Sequence, residues 1–257
     1  MGIMKNCIIL GSGRSGTSMV AGTLAKSGYF MGDNLYPARE SNPKGFFEDP
    51  FINGINEEIL ERMCFGAVES IKRKLSGIRL TDGQRWLEKI PLDARLPSSM
   101  ALTEKILTAV NKAPFCYKDP RFSYTLPIWR PYLQNTVFIC VFREPTVTAQ
   151  SIIKECSAME YLKSVKMSFK YALEIWFHIY NHILTTHIHE GEWLFLHYDQ
   201  VLSFDGASRI EAIAESATDK SFPEEQFKRS SSTLECPSKH RKMYAQLCEL
   251  ARYQPSY

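Results

Sequence analysis

The stretch CIILGSGRSGTSMVAGTL, residues 7–24, constrains the fold more than any other part of the chain. An apolar run stops at Gly11, two more glycines follow at 13 and 16, and small and apolar residues continue to Leu24. Residues 6–10 read as a short buried strand and residues 17–27 as a helix stopped by Gly28. A strand, a tight glycine turn and a helix start aim several backbone N–H groups, here those of residues 14–18, at one spot. The helix dipole makes that spot an anion site.

The identity of the anion is less direct. A triphosphate-binding loop reads GxxxxGK[ST]. Gly11 and Gly16 have that separation and Ser18 stands at the hydroxyl position, but Thr17 replaces the lysine. The cation is Arg14, inside the loop. A dinucleotide fingerprint also matches in its glycines (11, 13, 16), yet Asp33, at the right distance, falls in a loop and not at a strand end.

The clearest buried strand lies within NTVFICVFREP, residues 135–145. A triphosphatase ends such a strand in an acid that holds magnesium; this one ends in Arg143. Open α/β sheets bind ligands at the carboxyl ends of their strands. Ser151, eight residues on, lies on the following helix, so the guanidinium and the hydroxyl together suit a second phosphate. Two anion sites without a metal-holding acid suit a ligand with phosphates at two ends.

Around these motifs the chain alternates strands and helices. Residues 31–50 read as a long loop rich in Gly, Pro and Asn, of the kind that in compact domains is usually functional. Pro50 opens a helix with Ile52, Ile55, Ile59 and Met63 on one face. Residues 65–113 read as mostly helical and 115–120 as a second strand. A helix runs from 146 to 156, a long amphipathic helix from 158 to 189, a last strand over 193–202, and shorter helices follow. The expectation is an α/β fold in one domain, 1–257, with a mainly parallel central sheet flanked by helices on both faces.

With 44% hydrophobic and 23% charged residues the chain can bury a sizeable core. A net charge of +3 suits a small anionic ligand and is too weak to point to nucleic acid. Seven scattered cysteines with no CxxC pair suggest neither a disulfide framework nor a zinc site. No apolar run approaches the ~18 residues of a membrane helix. A cytoplasmic protein with reduced thiols is expected, and its oligomeric state is left open.

These segments resemble a known family. GSGRSGTSMV (11–20) resembles the 5′-phosphosulfate loop of the sulfotransferases, and FREPTVTAQS (142–151) resembles their 3′-phosphate motif. NPKGFFEDP (42–50), KDPRFSYTLPIW (118–129) and LHYDQVL (196–202) look like the matching segments of bacterial-type members, and SKHRKMYAQLCELA (238–251) is compatible with their last helix. The resemblance implies a P-loop NTPase-like, three-layer fold. It also implies 3′-phosphoadenosine 5′-phosphosulfate (PAPS) as donor, 3′,5′-adenosine bisphosphate (PAP) as product, and no required metal. On it, Gly13, Arg14, Ser15, Gly16, Thr17 and Ser18 fall on the 5′-phosphosulfate cradle, with Arg14 against the transferring group. Arg143 and Ser151 fall on the 3′-phosphate. The chain departs from many eukaryotic members in lacking an RKG segment near its C-terminus; Lys239, Arg241 and Arg229 are the basic residues available instead.

Sulfuryl transfer needs alignment, stabilisation of the leaving phosphate, and a base for the acceptor proton. Arg14 and Glu48 are the expected catalytic residues. Glu48 follows the long loop and is flanked by aromatic residues, although it also stands where helix-capping acids are common. Lys118, Asp119 and Arg121 form a dense strand-end cluster expected to contact donor or acceptor. His178 and His182, four apart, lack the glutamate of an HExxH site and read as packing residues. The sequence leaves the acceptor open among a carbohydrate, a lipid-like alcohol and a carrier-bound hydroxyl, with Arg39, Lys44 and Arg85 hinting at a polar or anionic partner. A P-loop small-molecule kinase and a non-catalytic PAPS- or PAP-binding protein are the alternatives.

Overall fold

The structure, a computed structural model, describes residues 3–67, 69–71, 78–223 and 232–255. The apolar runs become strands β1 (Asn6–Leu10), β2 (Cys116–Lys118), β3 (Thr136–Phe142) and β4 (Glu192–His197), all paired parallel in the order β2-β1-β3-β4. Parallel strands are buried on both faces, which is why β3 can be apolar without alternation. Ile8, Leu10, Phe138, Cys140 and Phe142 face one core; Cys7, Ile9, Val137, Ile139 and Val141 face the other.

The second core is covered by α1 (Thr17–Leu24) and by α8 (Phe204–Ala214), through Val20, Ala21, Leu24, Ile210 and Ala214. The first and larger core lies under α2 (Pro50–Glu61), α3 (Met100–Val110), α4 (Phe122–Trp129), α5 (Pro145–Ala158), α6 (Phe169–His182) and α9 (Ser238–Ala251). A single turn, α7 (Tyr198–Val201), follows β4 directly. The result is an α/β fold with helices on both faces of a parallel sheet. Among the described residues no helix is long and apolar enough to cross a membrane.

Three segments differ from the sequence reading. Over 78–99 the chain is mostly irregular, broken by Gly83, Pro91 and Pro97, with one 3-10 turn at Arg85–Leu87. The helix expected over 158–189 is interrupted: a 3-10 turn at Glu160–Leu162 is followed by coil, and α6 starts only where the Ser168 hydroxyl accepts the Tyr171 N–H at 3.2 Å. Leu162 and Val165 are buried in that interruption, so the apolar period continued while the helix did not. The last strand ends at His197, because residues 198–201 turn into α7.

Two histidines of α6 and one just beyond it, His187, lie against main-chain carbonyls of neighbouring segments. His178 Nδ1 and His182 Nε2 both lie against the Ile90 carbonyl oxygen, at 3.0 and 2.9 Å, and His187 Nε2 lies 3.1 Å from that of Ser123. Burial pushes His182 and His187 each down to about 4. The folded protein keeps both rings neutral below the point, about pH 6.5, where the unfolded chain takes up protons. Their contribution is therefore complete above pH 6.5 and is lost as the pH falls towards 4. Urea unfolding should show a loss of about 2 kcal/mol per ring between pH 7 and pH 5. His182→Gln, which keeps a donor for Ile90, should remove about half of that slope; an unchanged slope would contradict this assignment.

Candidate functional site

The carboxyl ends of β1, β2 and β3 open onto one cavity of about 640 Å³, within the range of small-molecule sites. Gly13, Arg14, Gly16, Thr17 and Ser18 line it from the loop after β1, Lys118 and Arg121 from the end of β2, and Arg143 and Ser151 from β3 and α5. Glu48 lines it from the long loop. Of the loop, strand-end and helix residues expected to bind the donor or acceptor, Ser15 and Asp119 are not in this lining.

The glycine loop takes its shape from groups beneath and beside it. Gly11 (φ +129°) passes so close to β3 that an added β-carbon would lie 2.2 Å from the Val141 carbonyl oxygen. The Tyr180 hydroxyl donates to that carbonyl at 2.8 Å, accepts the Ser12 N–H at 3.1 Å, and lies 3.2 Å from Ser15 Oγ. The Ser15 side chain is thus buried against α6 and faces away from the cavity. The Ser15 N–H is spent on the Ser12 carbonyl (3.2 Å), whereas Thr17 and Ser18 stand at the helix start, where N–H groups lack intrahelical partners. Trp86 roofs Gly13, and Tyr198 packs on Gly16 (φ +96°), where β-carbons would sit 2.6 and 2.5 Å from the rings. Both aromatic residues line the cavity.

Arg143 ends β3 with its guanidinium 4.3 Å over the Tyr198 ring, largely buried, and burial lowers its pKa from the ordinary arginine value. Glu144 is not committed to Arg143. Its carboxylate caps α5, accepting from the Val147 N–H and Thr146 hydroxyl, both at 2.7 Å.

Arg14, in the left-handed region at φ +70°, reaches across the cavity to α5. Its Nε donates to Ser151 Oγ at 3.2 Å, its Nη2 donates to the Ser41 carbonyl at 3.0 Å, and its Nη1 lies 3.4 Å from Glu155 Oε2. The sequence placed Arg14 and Ser151 at opposite ends of a ligand; here they are in contact.

At the other end, Asp49, not Glu48, caps α2, its carboxylate taking the Phe51 N–H at 2.7 Å and the Asn34 N–H at 3.0 Å. Glu48 is left to the cavity. It pairs with the buried Lys118 and accepts from Asn53 Nδ2 at 2.8 Å. Arg121 bridges Glu57 (2.5 Å) and Asp119 (3.0 Å) and donates to the Gly83 carbonyl. Asp119 is fully buried, which pushes its pKa up against the pull of Arg121. Arg85 is held by Glu57 (2.6 Å) and Glu61 (3.3 Å) and is absent from the cavity lining.

Lys239 and Arg241 are also placed elsewhere. Lys239 pairs with Glu174 at 2.7 Å, Arg241 bonds the Cys236 carbonyl at 3.3 Å, and neither lines the cavity. Arg229 lies outside the described residues.

No family model and no curated protein matches the chain. Among solved structures, it is similar to the sulfotransferase domain of the Synechococcus PCC 7002 olefin synthase, with TM-score 0.49 and 14% identity over 98% of this chain and 95% of that one. It is also similar to the sulfotransferase domain of the curacin biosynthetic pathway, with TM-score 0.47 and 14% identity over 100% of both chains. A likeness of this size bears on neither ligand nor reaction, which rest on the cavity itself.

Asn56 lies outside the cavity lining but supports the β2 end behind it, and no motif announces it. Fully buried on α2, it donates to Asp119 Oδ2 (2.8 Å) and accepts from Thr125 Oγ1 (2.7 Å) and Trp129 Nε1 (2.8 Å). It thereby ties the β2 end to two helices. Asn56→Leu should strand the Trp129 N–H and one side of the Asp119 carboxylate, lowering the unfolding free energy by about 2–4 kcal/mol. A loss below about 1 kcal/mol in denaturant unfolding would show that the hub is dispensable.

Proposed function

We propose that the protein is a sulfotransferase that moves the sulfuryl group of PAPS to an acceptor hydroxyl. The observation that carries this reading is the convergence of Arg14, Arg143 and Ser151 on one cavity at the mouth of a lysine-free glycine loop. A cation ends β3 where a triphosphatase has its metal-holding acid. The donor's 5′-phosphosulfate fits the N–H groups of Thr17 and Ser18 at the start of α1. Its 3′-phosphate fits Arg143 and Ser151, and the rings of Trp86 and Tyr198 flank the space between.

In the reaction so read, the acceptor oxygen forms a bond to sulfur while the bond from sulfur to the 5′-phosphate oxygen breaks in line with it. Arg14 and the loop N–H groups carry the charge that grows on the leaving phosphate. The acceptor proton passes to Glu48, which Lys118 and Asn53 orient. The products are a sulfate ester and PAP. The pairing of Glu48 with Lys118 also fits a protein that binds the nucleotide without turnover, so binding and transfer have to be measured separately. A kinase reading lacks two parts, since Thr17 stands at the lysine position and Arg143 at that of the metal-holding acid.

Calorimetry should detect PAP binding by the wild-type protein, and Arg143→Ala should weaken it about ten- to a hundredfold, the loss expected for one charge-assisted contact. Transfer of labelled sulfate from PAPS should fall about a hundred- to a thousandfold in Arg14→Ala. Thermal protection by ATP with magnesium but not by PAP would contradict the reading and favour the kinase.

A further inference from the structure

The mechanism uses Arg14 and Ser151 but leaves Glu155 unexplained. A carboxylate in an anion site repels the ligand, and this one is not at the edge: it is one helical turn beyond Ser151, lines the cavity, and is 5% exposed. Both of its oxygens are engaged. Oε2 lies 3.4 Å from Arg14 Nη1, and Oε1 accepts from Ser41 Oγ at 3.0 Å.

Ser41 belongs to the loop before α2 that also carries Glu48. Its carbonyl takes the Arg14 Nη2 at 3.0 Å, so Arg14, Ser41 and Glu155 close a ring of contacts across the cavity. On its far side the same loop is anchored independently, by Lys44 on the Phe222 carbonyl and ring and by Phe47 edge-on to Phe222. Arg14 meanwhile occupies the Ser151 hydroxyl, which the proposed reading gives to a phosphate of the donor.

We propose that Glu155 is a positioning residue acting through Arg14. In the nucleotide-free protein it holds the guanidinium and, through Ser41, pins the loop across the donor end; an incoming nucleotide phosphate takes Arg14 from it and frees that tether. Binding of the donor and release of the loop at Ser41 are then one exchange of partners. The Arg14 charge stays neutralised throughout, first by a carboxylate and then by a phosphate, which avoids an unpaired cation in a partly buried site.

This inference rests on the donor reading above, and the two can fail separately. PAP is the probe, with calorimetry for affinity and amide hydrogen exchange for the loop. Glu155→Gln removes the competing charge but keeps an oxygen that accepts from Ser41, so PAP should bind about three- to tenfold more tightly, with the exchange of residues 36–47 little changed. A merely structural carboxylate would give the opposite, weaker binding, and unchanged or weaker binding would overturn the proposal. Ser41→Ala keeps the charge and removes the hydroxyl's bond to Glu155, leaving the main-chain carbonyl on Arg14. It should speed exchange in the same segment without the gain in affinity, and unchanged exchange would overturn the proposal even if Glu155→Gln failed to fold. Absence of PAP binding by the wild-type protein would instead remove the donor reading and this inference with it.

Discussion

A parallel sheet sends the carboxyl ends of all its strands to one edge, and that constraint organises everything else in this protein. Because β1 lies between β2 and β3, the glycine loop emerges with Lys118 on one side and Arg143 on the other. The order is enforced by burial: β1 and β3 contribute apolar side chains to both cores, and each such side chain is worth about 1.5–3 kcal/mol when fully buried. Sliding or swapping a strand would expose that surface as well as dismantle the cavity.

Placing cations at a shared edge carries an electrostatic cost that the structure meets by pairing. Lys118 has Glu48, Arg121 has Glu57 and Asp119, and Arg14 has Glu155. The pairs differ in solvent access. The Lys118 and Arg121 side chains are 2% and 4% exposed, whereas that of Arg14 is 24% exposed with a looser, 3.4 Å contact. Breaking a deeply buried pair costs several kcal/mol, and a more open one far less. Arg14 is accordingly the cation best able to change partners, while the β2 cluster behaves as a rigid wall.

The sequence made the frame of this site legible because strands and glycine loops are local signals. Residues 6–10, the strand ending at Arg143 and the helix opened by Pro50 could each be read from a few consecutive residues. Contacts between distant segments could not. Nothing near Ser15 announces that Tyr180, 165 residues away, lies against its hydroxyl. Nothing near Arg14 indicates that Ser41 and Glu155 converge on it. Trp86 and Tyr198 are ordinary aromatic residues until the chain folds them against Gly13 and Gly16. Periodicity misled where an apolar pattern outlasted its helix, as at Leu162 and Val165. Helix capping resolved Glu48 only once Asp49 was seen to take the cap.

The central claim is that one adenosine nucleotide bridges the loop after β1 and the end of β3. A crystal structure of the protein with adenosine 3′,5′-bisphosphate tests it most directly. The account predicts the 5′-phosphate on the N–H groups of Thr17 and Ser18, and the 3′-phosphate within hydrogen-bond distance of Arg143 and Ser151. Arg14 would have left Glu155. Nucleotide bound elsewhere, or with neither phosphate near Arg143, would contradict it.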